Sequence, residues 1–164
     1  MLLRRSLEGG DGDLRNSANV RRGTVVVRAL IFATVGLMLQ IGIMFLIGFR
    51  GGPMEYDWVI SASLGLYIGA TLASWCAAGW LLNPTISKSS AIFVGCIVAW
   101  ISLFIEGLAG SSSQFLPRVS EHEAILNYIF KPMFWMVFVG TIPSLILGAI
   151  FGRNVWGKIH AKLP

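Results

Sequence analysis

With 55% hydrophobic residues and a mean hydropathy of +0.71, the 164-residue chain is too apolar for a soluble domain. Its net charge of +5 collects at the edges of apolar runs, which points to membrane surfaces and away from nucleic acid. Two cysteines inside apolar runs make neither a disulfide framework nor a zinc pattern, and no phosphate loop, dinucleotide fingerprint, metalloprotease helix or nucleophile elbow occurs. Neither an enzyme nor a cofactor or metal is therefore expected.

Residues 1–23 are polar and Gly-rich, with Arg4, Arg5, Arg15, Arg21 and Arg22, and read as a mobile basic arm at the lipid surface. Its Gly9-Gly10-Asp11-Gly12-Asp13 patch resembles a calcium repeat only in passing, since it occurs once; it reads as a flexible linker. The first apolar run, Ala29 to Phe49, is not followed by a small-x-small cleavage site, so it is expected to be a retained span rather than a signal peptide. That span covers about 25–49, with Arg28 one turn inside and able to snorkel to the head-groups.

The turn-forming stretch Gly51-Gly52-Pro53 leads into a second span at 58–82, and Asn83-Pro84-Thr85-Ile86-Ser87-Lys88 makes a tight connection to a third at 89–110. Spans two and three are thus an antiparallel hairpin. The longest loop follows, 111–131, in which Ser120 and Glu123 have capping-box spacing and Ile125, Leu126, Ile129 and Phe130 have helical spacing. A short interfacial helix is predicted there, with Pro132 as a break before a fourth span at 133–152. Residues 153–164 form a basic tail. Trp58, Trp80, Trp135 and Trp156 fall where spans meet head-groups.

The predicted architecture is an all-α, four-transmembrane-helix bundle comprising residues 24–152, with the lipid bilayer and other membrane chains as partners. Ten Lys and Arg lie on the side of the termini and three on the other, so both termini are expected in the cytoplasm of a plasma-membrane protein.

Small side chains recur at every fourth place in span two, as Ser61, Gly65, Gly69, Ala73 and Ala77, and in span four, as Gly140, Ser144, Gly148 and Gly152. Such rows let membrane helices approach closely, and counting from the outer ends puts Gly65 and Gly69 level with Gly140 and Ser144, the expected crossing. In a square bundle those two spans are diagonal, so either the bundle is flattened or one row faces another chain.

Gln40 lies near mid-span, where an unpaired amide costs several kcal/mol, about 2–7 by transfer scales, and Thr71, Ser74 and Trp100 are the partners expected at its depth. Glu106 is the one acid inside an apolar span. At 17 residues past Ser89, about 26 Å along the helix, it is expected near the outer head-groups. It reads as an anchor or ion pair with Arg50, Arg118 or His122, or as an ion or proton site. Cys76 and Cys96 share a depth as possible neighbours, and Pro143 marks a kink or hinge. The leading functional expectation is an accessory or assembly subunit docking other membrane helices through its small-residue faces. The alternative is a small oligomeric transporter or channel for an ion or small solute, using Gln40, Thr71 and Glu106.

Overall fold

The computed structural model describes residues 2–46, 56–116, 119–120, 123 and 125–161, with side chains described for 19–43, 58–116, 119–120, 123, 125–159 and 161. Four α-helices follow one another: α1 (Leu2–Leu46), α2 (Tyr56–Leu81), α3 (Lys88–Phe115) and α4 (Lys131–His160). No strand occurs among the described residues. Four helical segments are long and apolar enough to cross a bilayer, namely Asn19–Ile43, Trp58–Leu81, Lys88–Phe115 and Leu126–Ile159, the last beginning five residues ahead of α4. The protein is an integral multi-pass membrane protein built as an all-helical bundle.

Several boundaries differ from the sequence expectation. The N-terminal arm is not a separate loop: α1 is 45 residues long and runs unbroken from Leu2. With no proline before Pro53, a helix nucleated in the apolar span adds one hydrogen bond per residue backward through the arm. At about 67 Å it is twice the thickness of the hydrocarbon core. Span three continues past Gly110 to Phe115, because Ser112 Oγ and Ser113 Oγ donate to the carbonyls of Leu108 and Gly110, both at 2.7 Å, within the helix itself. Serines that look like loop residues are here helical. Span four likewise runs past Gly152 to His160, so most of the expected tail is helix.

The short helix expected before span four is present as a π-helical turn, Leu126–Phe130, and it is continuous with α4. The Lys131 amide donates to the Leu126 carbonyl, and Pro132 follows at the junction of the π-helical turn with α4, where its missing N–H removes one donor without ending the helix. The chain therefore does not break at Pro132. Nor does the capping box form, because Glu123 is left-handed, at φ 60°. At the opposite connection, the Ser87 hydroxyl accepts the Ser90 N–H and caps α3.

The packing is uneven. α3 lies against α2 on one side and α4 on the other, α2 and α4 barely touch, and α1 leans on the edges of α2 and α4. The termini-bearing end is closed by an apolar cluster that includes Val25, Ala29, Ala78, Leu81, Ala91, Val94, Phe151 and Val155.

Both rows of small residues pack on α3. A methyl group at Gly65 would lie 2.9 Å from the Ile105 carbonyl oxygen, and one at Gly69 would lie 2.9 Å from the Ser102 Cα. On the other side, Gly148 approaches Gly95 and Ala99, Gly152 approaches Ala91, and Gly140 approaches Leu103. Gly95 is itself closed off by the Gly148 carbonyl. The crossing expected between Gly65 and Gly69 on one helix and Gly140 and Ser144 on the other does not form. The square-bundle conflict is resolved by the helix between them, since neither a flattened bundle nor a second chain is needed to cover the rows. Further along α2, Ala73 and Ala77 belong to the apolar cluster, while Ser61 is half-buried.

Candidate functional site

Between α1 and α3 the bundle leaves a cavity of about 60 Å³. One water needs roughly 10–15 Å³ by the same measure, so a few fit. Gly36 and Gln40 of α1, Leu66 and Ala70 of α2, Ser102 and Glu106 of α3, and Pro143, Ser144 and Leu147 of α4 form its walls. Phe32 and Phe151, edge to face with centroids 5.8 Å apart, line it toward the termini-bearing end. One helical turn further, Arg28 Nη1 donates to Asn154 Oδ1 at 2.7 Å and ties α1 to α4.

Glu106 is the charged-type residue of this chamber. Its side chain is turned into the bundle interior, 3% exposed, and lines the chamber together with the Gln40 side chain. The physical reason is the face rather than the depth: Ser102 and Glu106 follow at i and i+4, and this stripe of α3 points at the gap opposite α1. Arg50, Arg118 and His122, the partners considered for it from sequence, lie outside the described residues.

Gln40 shares the chamber wall with Glu106, and the partners expected for it are engaged elsewhere. Thr71 Oγ1 donates to the Tyr67 carbonyl at 2.8 Å and Ser74 Oγ to the Thr71 carbonyl at 3.2 Å, so both hydroxyls return to their own helix. Trp100 is 43% exposed and stacks on Phe104, away from the chamber. Ser102 Oγ donates to the Val98 carbonyl at 2.7 Å. A polar contact not anticipated from sequence joins α1 to α2, where Thr34 Oγ1 and the Tyr67 hydroxyl lie 3.1 Å apart.

Pro143 stands in the chamber wall without interrupting α4, and it removes the helical donor to the carbonyl of Val139, four residues earlier. Cys76 and Cys96 are both free and face different ways. Cys76 is exposed, whereas Cys96 Sγ donates to the Leu145 carbonyl of α4 at 3.4 Å. Of the four tryptophans read as anchors, Trp80 and Trp135 are exposed, while Trp58 and Trp156 are half-buried. Trp156 Nε1 donates to the Ile86 carbonyl at 3.1 Å, so it also fastens α4 to the α2–α3 connection.

No group of three His, Cys, Asp or Glu side chains is placed to hold a metal ion among the described residues. What the arrangement offers is one carboxyl, a neutral amide facing it, and space for water beside them. Against known protein families, curated proteins and solved structures, the chain matches nothing.

Proposed function

We propose that the protein is a small transporter or channel for an ion or small solute, with both termini in the cytoplasm and copies of the chain completing the path across the plasma membrane. The observation that carries this reading is a carboxyl group buried in a membrane bundle beside a water-sized chamber. Ionisable groups inside spans are costly to keep, and those facing a cavity are a recurrent feature of ion and proton pathways. The accessory-subunit reading relied on small-residue faces open to other chains, and those faces are covered by α3.

Purified protein in liposomes, tested for flux of protons, alkali cations and small neutral solutes, decides the proposal. Flux that falls in Glu106→Gln supports it; tight vesicles under every gradient sink it. A second reading, docking to an unlike membrane chain, has one feature in its favour. Phe134, Trp135 and Phe138 are 62–66% exposed, with ring centroids 6.0–6.2 Å apart, the two phenylalanines stacked and Trp135 edge to face with both. If that ladder seats a partner helix, Phe138→Ala releases a chain that co-purifies with the wild type in mild detergent.

A further inference from the structure

The chemistry of the chamber narrows the ligand. We propose that Glu106 and Gln40 form a proton-binding pair, in which the carboxyl exchanges a proton with chamber water and the Gln40 amide serves both protonation states. This rests on the transport reading and specifies its ligand.

The first argument is the donor set. Divalent cations take six or more oxygen ligands, and alkali cations require a ring of oxygens in place of their hydration shell. Among the described residues, the chamber presents the Glu106 carboxyl, the Gln40 amide and the hydroxyls of Ser102 and Ser144, and the rest of its wall is hydrocarbon or glycine. Its backbone carbonyls belong to continuous helices and are engaged along them, except that Pro143 leaves the Val139 carbonyl without its helical donor, and one freed carbonyl is far short of a ring. A proton needs only the carboxyl and a partner.

The second argument is the partner. Among the described residues, the faces around Glu106 present Gln40 from α1, Gly65 and Leu66 from α2, and Pro143 and Ser144 from α4, none of them a cation or a second acid. A lysine or arginine there would hold the carboxylate permanently as an ion pair. A glutamine does not discriminate in that way, because its amide carries both a donor and an acceptor. The NH₂ group donates to the ionised carboxylate; after half a turn of the amide, its oxygen accepts the hydroxyl of the neutral acid. Each cycle moves one proton between the carboxyl and water, with no other bond made or broken. Room for the turn is supplied at Gly140, where even a methyl group would stand 3.6 Å from Gln40 Nε2.

The test is pH-difference infrared spectroscopy of the whole protein in lipid nanodiscs. The carbonyl stretch of a protonated carboxyl should appear in acid and vanish reversibly in alkali, be absent in Glu106→Gln, and change frequency in Gln40→Leu, which removes the hydrogen-bonding partner. A band that ignores pH overturns the proposal, as does a carboxylate band that responds to Na⁺, K⁺ or Mg²⁺ at fixed pH. An unshifted band in Gln40→Leu overturns the pairing. Should either variant fail to fold, carbodiimide labelling of the wild type, mapped by mass spectrometry, replaces it. Labelling of Glu106 that falls as pH rises supports the proposal, and protection by a metal cation at constant pH overturns it. Flux is a separate outcome: a pH-responsive band in vesicles that stay tight defeats the transport reading alone, and metal-cation flux with a pH-silent band defeats the proton assignment alone.

Discussion

The contact of α3 with α4 and the contact of α1 with the rest of the bundle use opposite means of holding helices together. Along α3 and α4, Gly95, Gly148 and Gly152 bring backbone against backbone, so close that a single added methyl group meets main-chain atoms. Along α1, a methyl at Gly36 meets only the tip of Leu147, at 3.3 Å, and one at Gly42 meets nothing within 4 Å. α1 is held instead by Val25 and Ala29 at one end and by discrete side-chain links: Arg28 to Asn154, Thr34 to Tyr67, and Phe32 to Phe151. Dispersion between tightly fitted surfaces fixes the first contact. Separate side-chain links leave space between them in the second, and that space is the chamber.

The contrast is broken most directly at Gly148. Gly148→Ala, or Gly95→Ala from the other side, should destabilise the bundle by about 3 kcal/mol, the upper end of ordinary overpacking costs, since the clash is with backbone that cannot rotate away. The readout is the thermal unfolding midpoint in detergent, and a midpoint equal to that of the wild type would show that the two helices are not packed at this distance. Gly65→Ala, which meets the Ile105 carbonyl and the Ala109 side chain, should cost about 2 kcal/mol in the same assay.

Smaller effects are expected on α1. Arg28→Ala and Asn154→Ala should each lower stability by about 0.5–1 kcal/mol, and the double variant should cost little more than either, because the two side chains share one hydrogen bond. Gly42→Ala should be neutral or stabilising by up to about 1 kcal/mol, the usual gain for removing a glycine from an open helix position. If alanines on α1 prove as harmful as those on α4, the distinction between the two kinds of contact fails.

Much of the architecture was legible because its determinants are local. Four apolar runs of spanning length, separated by Gly51-Gly52-Pro53, by Asn83-Pro84 and by the Ser111–Lys131 segment, define four helices in order whatever they pack against. Helix ends were less legible. Ser112 and Ser113 carry loop-forming side chains, yet in an apolar setting their hydroxyls bond back to the helix. Similarly, Pro132 looked like a break because it removes a helical donor, yet it sits where a π-helical turn passes into α4 and the helix carries on through it.

The site was half legible. Gln40 and Glu106 stand out as polar residues in apolar runs, but depth along the helix suggested different partners for each, and depth says nothing of azimuth. Arg28, Phe32, Phe151 and Asn154 carried no signal of their own, since each is ordinary for its position. Gly95 did carry one, because Ala91, Gly95 and Ala99 repeat the four-residue spacing of the other rows within α3.

By itself, then, the sequence determined the number and order of the spans and marked the two small-residue rows, because hydrophobicity and residue size act within one helix. Tertiary structure alone decided that both rows close on α3, that α1 stands off from it, and that Glu106 and Gln40 line one chamber. Those outcomes depend on which face each helix turns to its neighbours, and that is set by all four helices packing at once.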